Sequence, residues 1–184
     1  TSGEIYYGDA IVSPNAVKTG YVLSWDKEIP AVMGAEDLVI EAVWKPAADT
    51  KYTVNYYIED ISGESNTKLE SVPYFGETDM TVEAPRKDIV GFTKPDAQNI
   101  TILPDGSAEV NYLYSRNTYT ITYTMEGSND TFTEYVKYGE EHMLQNPALT
   151  KTGYTIDSLV CDDVDVTKKF EMPAKNLTVS TVWK

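Results

Sequence analysis

The clearest pattern in this 184-residue chain is a strict two-residue alternation. In Thr118 to Met125, the residues Tyr119, Ile121, Tyr123 and Met125 share one face, and Thr118, Thr120, Thr122 and Thr124 share the other. Period 2 with one apolar side predicts a half-buried β-strand. Tyr52-Thr53-Val54-Asn55-Tyr56-Tyr57-Ile58 predicts a second strand of the same kind, with Tyr52 and Tyr56 on the core side and Tyr57 opposite. Leu38, Ile40, Ala42 and Trp44 alternate in the same phase as Leu177, Val179, Thr181 and Trp183, so two further strands are expected to carry a Trp on the same face. Pro104-Asp105-Gly106 precedes the run Ser107 to Tyr114. Pro presets φ and Gly accepts a positive one, so a hairpin is expected there. No window of ten or more residues carries a 3.6-residue period. The best helical candidates, near Glu141 to Leu144 and Asp79 to Ala84, are a turn or two long. The fold class expected is therefore mostly β with little helix.

Laid against itself, the chain repeats. Val32 to Lys45 matches Glu171 to Lys184, with Met33 on Met172, Leu38 on Leu177 and Trp44 on Trp183. Upstream, Tyr7-Gly8 matches Tyr138-Gly139, and Lys18-Thr19-Gly20-Tyr21 matches Lys151-Thr152-Gly153-Tyr154. A more divergent copy lies between them. There Phe75-Gly76-Glu77 takes the Tyr-Gly-acid position, Ile89-Val90-Gly91-Phe92-Thr93 takes the Lys-Thr-Gly-Tyr position, and the last strand ends in Tyr114 rather than Trp. The second and third copies open with the Tyr/Thr strand, which the first lacks. The division expected is a partial unit over 1–46 without its first strand, a second unit over 47–116 and a third over 117–184. Pro46-Ala47-Ala48-Asp49-Thr50 and Ser115-Arg116-Asn117 join them without Gly-rich flexibility. Units this small bury only about 60% of their unfolded surface. The expectation is an elongated, semi-rigid string of modules whose neighbours lend each other some interface.

Composition agrees with strands and narrows the partners. There are 21 Thr, 17 Val, 11 Ile and 14 Tyr, residue types that favour extended backbone. With 29 acidic against 15 basic residues the formal charge is -14. That sign argues against nucleic acid and against an anionic bilayer surface. The acidity is spread: three basic residues against seven acidic in 1–46, six against twelve in 47–116, and six against ten in 117–184. No apolar run approaches the roughly 18 residues a membrane helix needs, so no membrane insertion is expected of this segment. Thr1-Ser2-Gly3-Glu4 does not read as a secretory leader. A single Cys excludes an intramolecular disulfide and neither supports nor excludes export, although near-absence of Cys suits surface proteins that avoid unwanted crosslinks.

Candidate chemistry is sparse. His142 and Cys161 are the only residues of their kinds and form the one available Cys–His nucleophilic pair, but neither carries a flanking signature. The sequence Cys161-Asp162-Asp163 surrounds the thiol with anionic neighbours, which disfavour a reactive thiolate. One His and one Cys are too few for a zinc site. Asp162, Asp163 and Asp165, with Asp157 nearby, are the densest set of hard oxygen ligands, yet the Gly and Glu spacing of an EF-hand calcium loop is absent, and a solvated acidic loop is the default. No catalytic, metal or cofactor site is expected. Lys–Asn isopeptide crosslinks are available in composition, but no spacing identifies a pair. Tyrosine faces are the remaining candidates for binding, since aromatics supply contact area to glycans and proteins alike. Tyr52, Tyr56, Tyr119 and Tyr123 fall on the expected core face, which leaves Tyr57 as the exposed candidate.

Together these residues resemble a family. Tyr-Gly-acid, then Lys-Thr-Gly-Tyr, then a strand closing in Val-Trp-Lys is similar to the Listeria and Bacteroides repeat, the B-repeat of internalin B type. The likeness is clearest in 118–184 and 1–45, where Trp25 after Gly20-Tyr21 resembles that family's Gly-Trp step. The middle unit, with Tyr52 to Tyr57, Ile89 to Thr93 and Pro104 to Tyr114, resembles the mucin-binding-protein type of repeat. The resemblance implies tandem β-grasp (ubiquitin-like) modules of large surface-anchored or secreted bacterial proteins, acting as stalks or in adhesion. It implies an extracellular location and no enzymatic activity. The alternative it carries is a ligand-binding module for mucin glycan or a host protein. Ser158-Leu159 stands where Gly-Trp would fall in the third unit, and the middle unit lacks both Trp positions, so a ligand role for those aromatics does not carry between units. Open sheet edges would also allow strand addition between neighbouring repeats or copies.

Overall fold

A computed structural model describes residues 3–127, 129–144, 150–161 and 164–184. Among these residues the chain is built of strands and connecting turns, with no helix. The two windows with helical promise are extended. β5 (Thr81–Glu83) pairs with β7 (Asn99–Thr101), and β11 (Glu141–His142) pairs with β13 (Phe170–Glu171). A turn's worth of sequence cannot offset helix nucleation, whereas each of these segments finds a strand partner across the module.

The C-terminal part shows the plan most fully. β9 (Thr118–Met125) pairs antiparallel with β10 (Thr131–Lys137) and parallel with β14 (Leu177–Trp183), which pairs antiparallel with β12 (Ile156–Val160). The sheet order is β10-β9-β14-β12, with β11-β13 as a small second sheet. In the middle, β3 (Thr50–Glu59), β4 (Asn66–Gly76), β6 (Phe92–Thr93) and β8 (Glu109–Arg116) form a sheet of order β4-β3-β8-β6, with β5-β7 beside it in the chain. Strand for strand, the order is the same in both. The N-terminal part has β1 (Tyr21–Trp25) and β2 (Ala42–Pro46), antiparallel, with Leu23 opposite Trp44.

The chain gathers into two compact units. One comprises Thr1–Val54, Ser71–Ala84 and Ala97–Val110, and the other Asn55–Glu70, Pro85–Asp96 and Asn111–Lys184. In the first, the buried residues include Tyr52, Val54, Ile100, Ile102 and Val110, with the Tyr52 and Tyr74 rings stacked at 5.7 Å. In the second, Tyr56 lies between Tyr112 and Tyr114 at ring separations of 6.2 and 6.3 Å. A separate cluster of Ile121, Tyr123, Val136, Phe170, Met172, Leu177 and Val179 fills the C-terminal sheet. Tyr56, Tyr114 and Tyr123 serve as core because their hydroxyls reach partners. Tyr56 donates to the Pro85 carbonyl at 2.9 Å, Tyr114 to the Lys87 carbonyl at 3.0 Å, and Tyr123 to Glu134 at 3.1 Å.

Two strand expectations need correction. Pro104-Asp105-Gly106 does form a turn, with Gly106 at φ 73° and its N–H donating to the Leu103 carbonyl, but it does not close a hairpin. The strands it connects belong to different sheets, because β7 is taken by β5 and β8 lies between β3 and β6. The other concerns Leu38 to Trp44. Only its second half is strand, and none of the described residues in 3–46 is buried. The physical reason is a missing neighbour: β14 is flanked on both edges, whereas β2 pairs with β1 alone.

Candidate functional site

Two backbone junctions of the same design hold successive segments together, one within each compact unit. In the first, the Gly20 carbonyl accepts the Ala47 N–H at 2.9 Å and the Thr78 hydroxyl at 2.7 Å, and the Ala47 carbonyl accepts the Thr78 N–H at 2.9 Å. In the second, the Gly91 carbonyl accepts the Asn117 N–H at 3.0 Å, and the Asn117 carbonyl accepts the Tyr138 N–H at 2.9 Å. Both glycines have positive φ, 76° and 80°, which L side chains adopt at a cost. Both are also crowded: a Cβ on Gly20 would fall 2.6 Å from the Pro104 backbone, and one on Gly91 would overlap the Tyr138 ring.

Side chains reinforce each junction. Tyr21 donates its hydroxyl to the Asp79 carboxylate, and that hydrogen bond, followed by burial and the carboxylate's charge, raises its pKa above the ordinary tyrosine value. The Lys18 ammonium lies 3.6 Å from the centre of the Tyr21 ring, a cation–π contact. At the second junction Phe92 meets Tyr138 edge-on at 5.8 Å. The Arg116 guanidinium lies 4.8 Å over Phe92 and donates to the Tyr138 carbonyl at 2.7 Å. Glu59 accepts the Arg116 N–H at 2.9 Å, which with Lys137 holds its pKa below the ordinary carboxylate range despite some desolvation. The third copy has the same turn, with Gly153 at φ 83° and the Lys151 ammonium 4.4 Å over the Tyr154 ring, but nothing lies within 4 Å above Gly153.

The residues singled out for chemistry lie in structural roles. His142 turns Nε2 to Glu134 Oε2 at 2.9 Å and sets its ring edge-on to Phe170 at 6.0 Å. Glu134 also accepts the Tyr123 hydroxyl, so the three form a short polar chain along the edge of the core. Burial, then the Glu134 charge and hydrogen bond, push the Tyr123 pKa well above its ordinary value. Cys161 is half-buried and packs against the same hydrophobic cluster. Asp162 and Asp163 lie outside the described residues. Asp157 pairs with Lys184 at 2.8 Å, while Asp165 pairs with Lys168 at 3.1 Å and caps the Thr167 N–H and hydroxyl. Among the described residues no group of three or more His, Cys, Asp and Glu is placed to hold a metal ion.

Alternation places most of the tyrosines, with one amendment. Tyr52, Tyr56 and Tyr123 are buried and Tyr119 is half-buried against the C-terminal core. Tyr57 is half-buried rather than open, with the Lys68 ammonium 5.8 Å over its ring. The open aromatics on strands are instead Phe75 on β4 and Tyr135 on β10, 64% and 76% exposed, and outside the strands Tyr6, Tyr7 and Tyr154 are exposed as well. Phase was the missed signal: Val72 and Tyr74, like Phe132, Glu134 and Val136, take the less exposed positions and leave Phe75 and Tyr135 facing out. One cavity of about 460 Å³ is lined by Thr124, Glu126, Lys151, Tyr154 and Trp183 among others. The Trp183 Nε1 is buried without a hydrogen-bond partner among the described residues, a costly state for an indole N–H.

No family model matches the chain, and no curated protein matches it.

Proposed function

We propose that the chain is a non-catalytic, extracellular repeat segment of a bacterial cell-surface or secreted protein, working as a spacer or stalk built from β-grasp-like modules in tandem. The observation that carries this reading is the junction made twice, with the same glycine carbonyl, linker N–H and linker carbonyl in each. Backbone hydrogen bonds of this kind limit rotation between successive segments, which a spacer needs and a freely jointed binding module does not. An acidic surface on each segment keeps such a chain soluble and self-repelling. The engaged state of His142 and the core packing of Cys161 favour no catalytic role for either. Antibody raised against the chain is expected to label intact cells of the source bacterium, and labelling seen only after lysis would sink the reading.

The second reading is a ligand-binding module for mucin glycan or a host protein. The specific observation in its favour is the cavity lined by Trp183, Tyr154 and Lys151. Aromatic side chains beside an ammonium suit a sugar or a peptide carbonyl. A glycan array probed with the chain and with Trp183→Phe decides it: binding by the first and not the second is the positive outcome, and silence from both leaves the spacer.

A further inference from the structure

Within this chain, one sheet edge is covered twice and left open once. β14 has β9 on one side and β12 on the other, and β8 has β3 and β6. β2 has β1, the counterpart of β12, and no strand among the described residues on its second edge. The sequence match places Leu38, Ile40 and Ala42 on Leu177, Val179 and Thr181, and Trp44 on Trp183. In the C-terminal sheet, Leu177 to Thr181 is the stretch that pairs in parallel with β9, opposite Ile121 to Met125. Of its counterpart, residues 38–42, the first four lie outside any strand and Ala42 opens β2. The same apolar positions change accordingly: Leu177 and Val179 are 1% and 0% exposed, while Leu38 is 39% exposed and Ile40 is half-exposed. Val39 and Val43 stand in solvent beside them.

We infer that this edge is an acceptor for a β-hairpin of the kind formed by Thr118–Lys137, whose first strand adds in parallel to residues 38–42 and completes the N-terminal sheet. The occupant is specified by the covered edge of β14. Its leading strand alternates an aromatic or aliphatic inner face with a threonine-rich outer one, as Tyr119, Ile121, Tyr123 and Met125 alternate with Thr118, Thr120, Thr122 and Thr124. In register, an Ile lies opposite Leu38, a Tyr opposite Ile40 and a Met opposite Ala42, following Ile121 on Leu177, Tyr123 on Val179 and Met125 on Thr181. Strand addition of this type takes its affinity from main-chain hydrogen bonds and its selectivity from alternate side chains. A second copy is a poorer occupant, because β9 is already paired on both edges and would have to leave its own sheet. The inference is independent of whether the segment stands on a cell surface.

The test uses the full chain, isotopically labelled, and a synthetic peptide carrying the sequence of residues 117–138. Amide exchange over residues 38–43 is expected to slow by about tenfold or more on adding the peptide, as for residues moving from open chain into a sheet. A cross-peak between Ile40 of the chain and the peptide's central Tyr should report the parallel register. Ile40→Asp is expected to abolish both effects. Ile40 lies outside every strand and is not buried, so this variant should keep the exchange protection of β8 and β14 and so report its own folding. No slowing, or equal slowing by a peptide of the same composition in scrambled order, overturns the inference. Slowing without peptide that grows with chain concentration assigns the edge to a second copy and overturns it as well.

Discussion

Gly20, Gly91 and Gly153 take corresponding places in three segments and differ in what lies above the α-carbon. All have positive φ, so an alanine at any of them pays a backbone penalty of about 1–2 kcal/mol. At Gly20 the new methyl also meets the Pro104 backbone, and at Gly91 the Tyr138 ring, which adds about 1–3 kcal/mol of overpacking. Gly153 has open space. Urea unfolding is expected to rank Gly20→Ala and Gly91→Ala as clearly more damaging than Gly153→Ala; equal losses would mean that the junctions are not tightly packed. Tyr123 gives a second prediction at this scale. Its pKa is raised in the folded chain by burial first and Glu134 second, so the neutral hydroxyl is the form that folding favours. The stability this contributes is fully present below about pH 10, the unfolded tyrosine value, and is lost as pH rises toward the folded value. Tyr123→Phe is expected to flatten the alkaline fall in melting temperature, at a cost near neutrality of about 1–2 kcal/mol for the lost bond to Glu134.

Strands that match in sequence differ in what a truncation does to them. Leu177 in β14 is fully buried, and Leu177→Ala should cost about 2–5 kcal/mol, the range for removing a large aliphatic side chain from a packed core. Leu38, its match near the N-terminus, faces solvent, and Leu38→Ala should stay within about 0.5 kcal/mol. Denaturant unfolding of the two variants checks this directly, and a comparable loss from Leu38→Ala would show that the N-terminal sheet is closed in solution. The pair also marks how far alternation can be read. It placed β3 and β9, and it put Tyr52, Tyr56 and Tyr123 inside. It predicted a strand over Leu38 to Trp44 in the same phase as Leu177 to Trp183, of which only the second half forms, because the pattern records which residues share a side and says nothing of whether a neighbouring strand is there to bury it. The Pro104-Asp105-Gly106 turn was legible for the same local reason, and its partners were not.

For the molecule as a whole, charge is the dominant long-range term. A net charge of -14 spread along the chain makes self-repulsion larger than the gain from exposed pairs such as Lys184–Asp157 or Lys169–Glu141, worth about 0–1 kcal/mol each. Raising sodium chloride from about 10 mM to about 150 mM is expected to raise the melting temperature as the repulsion is screened. A fall would mean that ion pairs outweigh it. On the acid side, Glu59, Asp60, Asp105 and Asp165 are held below their ordinary values: Glu59 first by the Arg116 N–H, and the three aspartates first by the hydroxyls of Ser65, Ser107 and Thr167. Their contribution is present above about pH 4 and is lost as pH falls through the folded values. Net charge vanishes near pH 4.4, so solubility should be lowest there, with loss of stability following at lower pH. Residue pattern alone was enough to predict a mostly β chain, the strands β3 and β9, the turn at Pro104-Asp105-Gly106 and the buried side of Tyr52, Tyr56 and Tyr123, because each depends on neighbours a few positions apart. Which strand lies beside which, which glycine is crowded and which apolar face stays open depend on contacts between residues far apart in the chain. Those contacts exist only once the backbone hydrogen bonds between distant strands have formed, and at β2 one set of them finds no strand among the described residues.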